Sequence, residues 1–179
     1  MTPPMWAPWR IEYILGPKAK GGCIFCTYAE HELTQPQEDL VLCANEHAYV
    51  VLNRYPFTAG HLLVVPRRHC AEPCDLTEVE HEALFRLTTE SCKRLKLAVK
   101  ADGLNVGMNL GASAGAGIAE HLHVHIVPRW PGDTNFMPVL ADVRVMPQAL
   151  EATWRHLYPY FEDLSVPPAP AGVLSALTP

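Results

Sequence analysis

Three histidines occupy alternate positions in the segment from His121 to Val127, and apolar residues separate them. In a β-strand, successive side chains point to opposite faces, so we expect the imidazoles of His121, His123 and His125 on one face and the apolar side chains in the core. Imidazole attacks electrophiles and transfers protons near neutral pH, and it is also the commonest metal ligand. The spacing therefore predicts either a catalytic site or a metal site on this strand.

A run of small residues from Gly111 to Gly117 ends four residues before the first of these histidines. Successive backbone N–H groups in such a loop can converge on an anion, and the small side chains let a phosphate approach the backbone. A phosphate bound there would lie within reach of an imidazole that attacks phosphorus. The combination predicts covalent catalysis through a phosphoramidate, in which a histidine nitrogen is bonded to phosphorus.

A second candidate site begins with Cys23 and Cys26, whose Cys-x-x-Cys spacing is typical of zinc ligands. The chain has 6 cysteines, but cytosolic thiols stay reduced, so we favour a metal over disulfides. Cys70 and Cys74 are alternative ligands for the same metal. The opposing interpretation is that Cys23 and Cys26 are simply buried apolar residues.

The length of 179 residues fits one domain better than two. The formal net charge is −5 and there is no long run of Lys and Arg, so we expect no nucleic-acid partner. No apolar stretch approaches the roughly 20 residues of a membrane span, and the N-terminus does not resemble a signal peptide, so we expect no membrane partner and a cytoplasmic location. The composition predicts an arm over 1–22, a domain over 23–163 and a Pro/Ala-rich tail over 164–179.

The apolar pattern predicts an α+β fold in which an antiparallel sheet of about five strands carries two main helices. The first helix is expected over 75–100, with Asp75 as its N-cap and Glu78 completing a capping box. The second is expected over 147–161, and the polar segment 29–39 is expected to be a loop. The predicted strands are 40–43, 48–52, 61–65, 104–108 and the histidine segment.

The histidine segment matches the His-φ-His-φ-His-φ-φ motif of the histidine triad (HIT) family, in which φ is an apolar residue. Over residues 22–130 the sequence resembles that family, and after the triad Trp130 and residues 132–136 are similar to the branch that includes bacterial diadenosine tetraphosphate phosphorylases. The resemblance implies a HIT-like fold and a homodimer whose sheets run together. The other shared landmarks are Cys23-Ile24-Phe25-Cys26, Asn53, Gly60-His61, Val65-Pro66, His69, Asn109 and Pro128-Arg129.

The resemblance also implies a nucleotide substrate that is cleaved at its α-phosphate through a nucleotidyl-histidine. His123 is then the nucleophile, and His125 assists at the phosphate and the leaving group. Asn53 is expected to bind the ribose. Trp130 is expected to stack on a second adenine, and packing in a dimer interface is the alternative for this residue. The remaining implied residues are Ile24 and Phe25 at the base, and Asn109, Ser113, Ala116, Gly117 and Ile118 at the phosphate.

For the metal, the resemblance adds His69 and His121 to the two cysteines of the Cys-x-x-Cys pair. A zinc ion with four protein ligands is structural, because catalytic zinc keeps a position open for water or substrate. We therefore expect this zinc to tie the N-terminal turn to the histidine segment, and we expect the chemistry to need no cofactor.

The sequence departs from the family at Ala116-Gly117, where many members carry a serine whose hydroxyl helps the leaving phosphate. Ser113 is the candidate replacement. We expect inorganic phosphate, rather than water, to accept the nucleotidyl group, with water as the close alternative. Two other functions stay open: a metal-dependent hydrolase whose metal is held by the three histidines, and a nucleotide-binding sensor with negligible turnover.

Overall fold

The structure, a computed structural model, describes residues 22–31, 35–133 and 149–165. The predicted arm therefore lies outside the described residues except for Gly22, and the predicted tail lies outside them except for residues 164 and 165. The three domain boundaries stay predictions. No helix within the described ranges is both long enough and apolar enough to cross a membrane.

A five-stranded antiparallel sheet forms the centre of the fold, as predicted, and its strand order is β1-β2-β3-β5-β4. Every residue of β1, β2 and β3 is buried, which agrees with their nearly continuous apolar sequences. β5 lies between β3 and β4, so the histidine segment leads into the interior of the sheet. The strands are β1 (Val41–Ala44), β2 (Ala48–Leu52), β3 (Leu62–Pro66), β4 (Gly103–Gly107) and β5 (Val124–Arg129).

Four α-helices accompany the sheet within the described residues: α1 (Ile24–His31), α2 (Pro36–Asp39), α3 (Glu78–Val99) and α4 (Leu150–Leu157). The expected loop over 29–39 is wrong in part, because α1 and α2 occupy much of it. Proline stands at the first turn of α2, where its fixed φ suits a helix and its missing N–H costs nothing. The two main helices, α3 and α4, agree with prediction, although the expected start of α4 at residue 147 lies outside the described residues.

The N-cap of α3 is Thr77, so the predicted cap at Asp75 is wrong. Asp75 instead ends a short 3₁₀ turn that begins at Pro73. The Thr77 hydroxyl accepts the backbone N–H of Glu80, and the Glu80 carboxylate accepts the backbone N–H of Thr77. The capping box is therefore real but starts two residues later than expected.

α3 packs on β2, β3 and β5 and covers one face of the sheet. Leu84, Leu87, Leu95 and Ala98 are buried at helical spacing on its inner side. On the far edge, the indole N–H of Trp154 donates to the backbone carbonyl of Val41 at 2.7 Å and fixes α4 against β1.

Candidate active site and metal centre

The strand that was predicted to carry all three histidines begins only at Val124, so this expectation is wrong for His121 and His123. Just before the strand, the backbone N–H of Leu122 donates to the carbonyl of Cys70 at 2.7 Å, so this part of the segment pairs with a loop and not with the sheet. The side chains still alternate as expected. Leu122, Val124 and Ile126 are buried in the hydrophobic core, and the histidines between them are not part of that core.

A cavity of about 420 Å³ opens beside the last two histidines of the triad. This volume lies within the range of ligand pockets, about 300–1,000 Å³. Its wall is apolar on the side of α1 and β2, where Ile24, Phe25 and Leu52 contribute, and polar where His123 and His125 approach. Such a cavity suits a ligand with one aromatic end and one charged end.

The structure brings most of the predicted nucleotide-binding residues to this cavity. Of the described residues predicted to bind substrate, Ser113, Ala116 and Trp130 do not line it. Ser113 is exposed in a short 3₁₀ turn, and the indole N–H of Trp130 donates to the backbone carbonyl of Lys100 at 3.1 Å. The predicted residues that do line the cavity are Ile24, Phe25, Asn53, Asn109, Gly117, Ile118, His123 and His125.

His123 is held so that one ring nitrogen is available to a ligand. Its Nδ1 lies 2.8 Å from the backbone carbonyl of His121, which can only accept, so Nδ1 carries the proton and donates. In the neutral ring the lone pair is then on Nε2. The side chain is 6% exposed, and burial lowers the pKa of His123 below its ordinary value. A neutral imidazole with a free Nε2 lone pair is a nucleophile at neutral pH.

His125 has the opposite protonation because His61 lies behind it. The backbone N–H of Phe57 and the side-chain amide of Asn53 both donate to His61 Nδ1, at 3.1 and 3.3 Å. The proton of neutral His61 is therefore on Nε2, which donates to His125 Nδ1 at 3.0 Å. Neutral His125 in turn carries its proton on Nε2.

The Nε2 atom of His125 is buried and has no hydrogen-bond partner within the described part of the chain. A buried donor without an acceptor is costly, which makes this N–H a place where a ligand atom is expected. Burial, with a smaller effect of His123, lowers the pKa of His125 to about 4. The ring is neutral at physiological pH, and the centroids of the His123 and His125 rings lie 4.9 Å apart. A lone pair and an N–H donor thus stand side by side at the cavity.

His121 belongs to a different cluster, together with Cys23, Cys26 and His69. One candidate ligand atom from each residue lies within 4.8 Å of the others. Nδ1 of His121 is 3.2 Å from Cys23 Sγ and 3.6 Å from Cys26 Sγ, and Nδ1 of His69 is 3.4 Å from Cys26 Sγ. Two sulfur and two nitrogen donors at this separation form the donor set of a tetrahedral structural zinc site.

Two further observations show that these four residues fit a metal. The Nε2–H of His121 donates to the backbone carbonyl of Pro66 at 2.8 Å, which leaves the Nδ1 lone pair directed at the thiols, as in metal-bound histidines. Burial and the neighbouring Cys23 raise the pKa of Cys26, and a bound cation would offset both effects by stabilising the Cys26 thiolate. The alternative ligands Cys70 and Cys74 are not part of this cluster.

The same geometry argues against one metal held by all three histidines. Among the described residues, the one group with metal-ligand spacing includes His121 but neither His123 nor His125. The triad is therefore divided between a metal centre and a cavity. One backbone hydrogen bond joins the metal centre to the cavity. The ring of His121 faces the thiols, and its backbone carbonyl accepts the Nδ1–H of His123.

Sequence reasoning missed several residues that line the cavity, among them Tyr28, Arg54 and Phe57. Arg54 contacts another of them, because its Nε–H donates to the Tyr28 hydroxyl at 2.7 Å. The signal for Tyr28 was present, since Ile24 and Tyr28 have the i, i+4 spacing of one helix face. It was not recognised because α1 has only 8 residues and follows a turn-rich segment.

The chain is similar to proteins of known family. The model of the HIT domain matches residues 34–132. The AP-4-A phosphorylase of Mycobacterium tuberculosis is 39% identical over 158 residues, which cover 86% of this chain and 81% of that protein.

Among solved structures, a hypothetical histidine triad nucleotide-binding protein from Sulfolobus tokodaii strain 7 superposes with a TM-score of 0.63 at 30% identity, covering 79% of this chain and 93% of that one. A zinc-bound histidine triad family protein from Mycobacterium smegmatis superposes with a TM-score of 0.63 at 26% identity, covering 80% and 95%. The residues that the domain model matches, 34–132, include the cavity histidines and all five strands. Together with the domain match over more than half of its length, these similarities establish that the chain belongs to the HIT family.

Proposed function

We propose that this protein is an enzyme that cleaves a dinucleoside polyphosphate at the α-phosphate through a nucleotidyl intermediate on His123. One observation carries the proposal: Nε2 of His123 offers a lone pair at the cavity, and Nε2 of His125 offers an N–H beside it. A nucleophile next to a hydrogen-bond donor is what phosphoryl transfer needs, because the reacting phosphorus is surrounded by negatively charged oxygens.

In the first step, the His123 Nε2 lone pair attacks the α-phosphorus. A P–N bond forms, and the P–O bond to the departing nucleoside polyphosphate breaks. The leaving group is a stable phosphate anion, so it needs a hydrogen bond more than a proton, and the neutral His125 N–H supplies one. The modified His123 ring carries positive charge, which the His121 carbonyl stabilises through the Nδ1–H bond.

In the second step, an acceptor oxygen attacks the phosphorus and the P–N bond breaks, which returns the electron pair to His123 Nε2. We propose that inorganic phosphate is the acceptor, so that a nucleoside diphosphate is released. The similarity to an AP-4-A phosphorylase across most of the chain supports phosphate over water. Asn109, which lines the cavity beside the small-residue loop, is proposed to hold the phosphate oxygens.

We also propose that Cys23, Cys26, His69 and His121 hold a structural zinc ion, which would supply a fixed link between α1 and the segment that carries His123. The S₂N₂ donor set and the zinc-bound relative from Mycobacterium smegmatis support this assignment. Thiolate ligands are suited to a reducing compartment, consistent with the expected cytoplasmic location.

A homodimer remains part of the proposal. β4 is an edge strand of the sheet, and Val106 on it is 49% exposed. Exposed edge strands offer unpaired backbone groups to a partner. Sedimentation equilibrium measures the mass directly, and a monomer at micromolar concentration would contradict this part of the proposal.

The deciding experiment incubates the protein with diadenosine tetraphosphate, with and without inorganic phosphate, and identifies the products by mass. Phosphorolysis yields ADP and ATP and requires phosphate. Hydrolysis yields AMP and ATP and does not, and this outcome would replace phosphate by water as the acceptor. No cleavage under either condition, in protein that binds the dinucleotide, would favour a nucleotide sensor instead.

A further inference from the structure

We propose that Arg67 is a positioning residue of the metal centre, which holds helix α1 at the loop that carries His69. This inference rests on the zinc site of the proposed function and does not depend on the cleavage reaction. α1 begins directly after Cys23 and contains Cys26. Arg67 lies two residues before His69 in the chain, and it bonds to α1 one turn after Cys26. One side chain therefore connects the parts of the chain that supply three of the four ligands.

The four candidate ligands lie on three separate parts of the chain. Cys23 and Cys26 are at the start of α1. His69 is in the loop after β3, and His121 is just before β5. Ligands that must first be ordered weaken metal binding, because ordering them costs conformational entropy. The Pro66 carbonyl already orients the His121 ring. The remaining requirement is that α1 keeps the thiols beside His69, where Cys26 Sγ lies 3.4 Å from His69 Nδ1.

α1 depends for its order on contacts with the rest of the protein. It has 8 residues, and isolated helices shorter than about 12–15 residues are marginal in water. In its first turn, the carbonyl of Phe25 accepts the Tyr49 hydroxyl at 2.8 Å. Further along, the Tyr28 hydroxyl accepts the Arg54 Nε–H at 2.7 Å. Neither Tyr49 nor Arg54 is close to a metal ligand in the sequence, so these two bonds do not connect α1 to the loop of His69.

Arg67 makes that connection from a fixed position on the sheet. Its backbone N–H donates to the carbonyl of His47 at 2.8 Å, and its Nε–H donates to the carbonyl of Asn45 at 2.8 Å. Both bonds hold Arg67 to the connection between β1 and β2. Its Nη1–H donates to the carbonyl of Ala29 at 3.2 Å. Ala29 is in the last turn of α1, where carbonyls lack partners within the helix and a positive charge is favourable.

Removing the guanidinium is expected to lower the affinity of the protein for zinc. Without this bond the last turn of α1 can move away from the loop, and zinc binds well only to the fraction of molecules in which the helix is in place. Loss of a residue that supports metal ligands typically reduces metal affinity by about 10- to 100-fold. Because Arg67 contacts the helix and not a ligand atom, we expect a loss of about tenfold, the lower end of this range.

The test uses the full-length protein and measures its dissociation constant for zinc by competition with a chromophoric chelator under reducing conditions. Arg67→Met removes the guanidinium but keeps an unbranched side chain, and it should weaken zinc binding about tenfold. Arg67→Lys keeps the charge and a donor, so we expect a smaller loss from this milder variant. Arg68→Met is the matched control and should leave zinc affinity unchanged, because Arg68 bonds to Glu80 and to the Asp75 carbonyl near the start of α3.

A second measurement separates positioning from a general loss of stability. Hydrogen exchange of the zinc-free proteins should be faster in α1 of Arg67→Met than in α1 of the wild type, with the sheet unchanged. The inference would be overturned by an unchanged zinc dissociation constant in Arg67→Met, by an equal loss in Arg68→Met, or by faster exchange throughout the protein. These outcomes would leave the zinc site in place. A wild type that binds no zinc would overturn the site and the inference together, and the cleavage reaction would still stand on its own test.

Discussion

His61 Nε2 lies 3.0 Å from His125 Nδ1, and this contact determines which nitrogen of His125 carries the proton at the cavity. His61 is fully buried, and its Nδ1 accepts hydrogen bonds from the backbone N–H of Phe57 and the side-chain amide of Asn53. Its own proton is therefore on Nε2, which faces His125. The backbone N–H of Phe57, in the connection between β2 and β3, therefore fixes the tautomer of His61, and His61 in turn fixes the tautomer of His125. His61 is a positioning residue that acts through His125.

Replacing His61 by phenylalanine tests that role. His61→Phe keeps an aromatic ring but removes the donor, so His125 is free to place its proton on Nδ1 and lose the N–H at the cavity. We expect kcat to fall by tenfold or more, toward the effect of removing a preorganised donor, about 10²-fold, while KM changes little. The tautomer of His125 is read from its ¹⁵N chemical shifts. If the tautomer of His125 were unchanged in His61→Phe, the proposed effect of His61 on His125 would be contradicted, whatever the change in rate.

The nucleophile assignment predicts a larger effect. His123→Asn removes the Nε2 lone pair and retains a polar side chain, so turnover is expected to fall by at least about 10³-fold with nucleotide binding preserved. Rapid quenching of the wild type should trap a covalent adduct of one nucleotidyl group per subunit, detected by intact mass. His156→Asn, on the distant helix α4, serves as the control for a general loss of histidine. An adduct in the His123 variant would refute the assignment.

Much of the site could be predicted because it contains two short sequence patterns, each formed by residues that are close together along the chain. The alternation around His123 and the spacing of Cys23 and Cys26 are short-range patterns, and the structure brings these residues to the cavity and to the metal cluster respectively. The antiparallel sheet was likewise predictable, since its strands are short β-forming segments bounded by turn residues. Patterns of period two need only a few residues to be recognised.

The missed features depend on contacts between distant elements. Arg54 had to be placed against Tyr28, 26 residues away, by a helix too short to show a clear apolar period. The shifted cap of α3 has the same origin, because Thr77 and Asp75 are both good N-cap residues and Pro73 decides between them by starting a separate turn. N-cap propensity alone does not decide between two candidate residues that lie two positions apart.

The capping box of α3 gives a stability prediction that is independent of the active site. Thr77→Ala removes the hydroxyl that accepts the Glu80 N–H and is expected to lower the free energy of unfolding by about 1 kcal/mol. Urea denaturation followed by circular dichroism measures the change. Thr89→Ala, which removes a hydroxyl that bonds within the same helix, is the control and should have a smaller effect. Equal losses in both variants would mean that the cap adds nothing.

The lowered pKa of His125 makes the stability of the protein depend on pH with a definite sign. Its pKa is about 4 in the folded chain and about 6.5 when unfolded, so between these values the unfolded chain binds the extra proton. The contribution is fully present above pH 6.5 and is lost as the pH falls toward 4. Comparing the denaturation of wild type and His125→Gln at pH 4.5 to 7 isolates the contribution of His125, since the other titratable groups are present in both proteins. The variant should lose less stability on acidification, and parallel pH curves would contradict the assignment.

Metal removal tests the second cluster separately from the cavity. The expected content is one zinc per chain, measured by atomic emission, and a chelator or Cys26→Ser should lower both the zinc content and the midpoint of thermal unfolding, because binding to the folded state alone stabilises it. Cys74→Ser is the matched control, since Cys74 is an exposed thiol outside the cluster. The backbone link from His121 to His123 adds a further expectation: in the zinc-free protein, ¹⁵N shifts should show His123 losing its fixed Nδ1–H tautomer. If the zinc-free protein kept this tautomer and its thermal stability, a metal bound by these four residues would have no structural role.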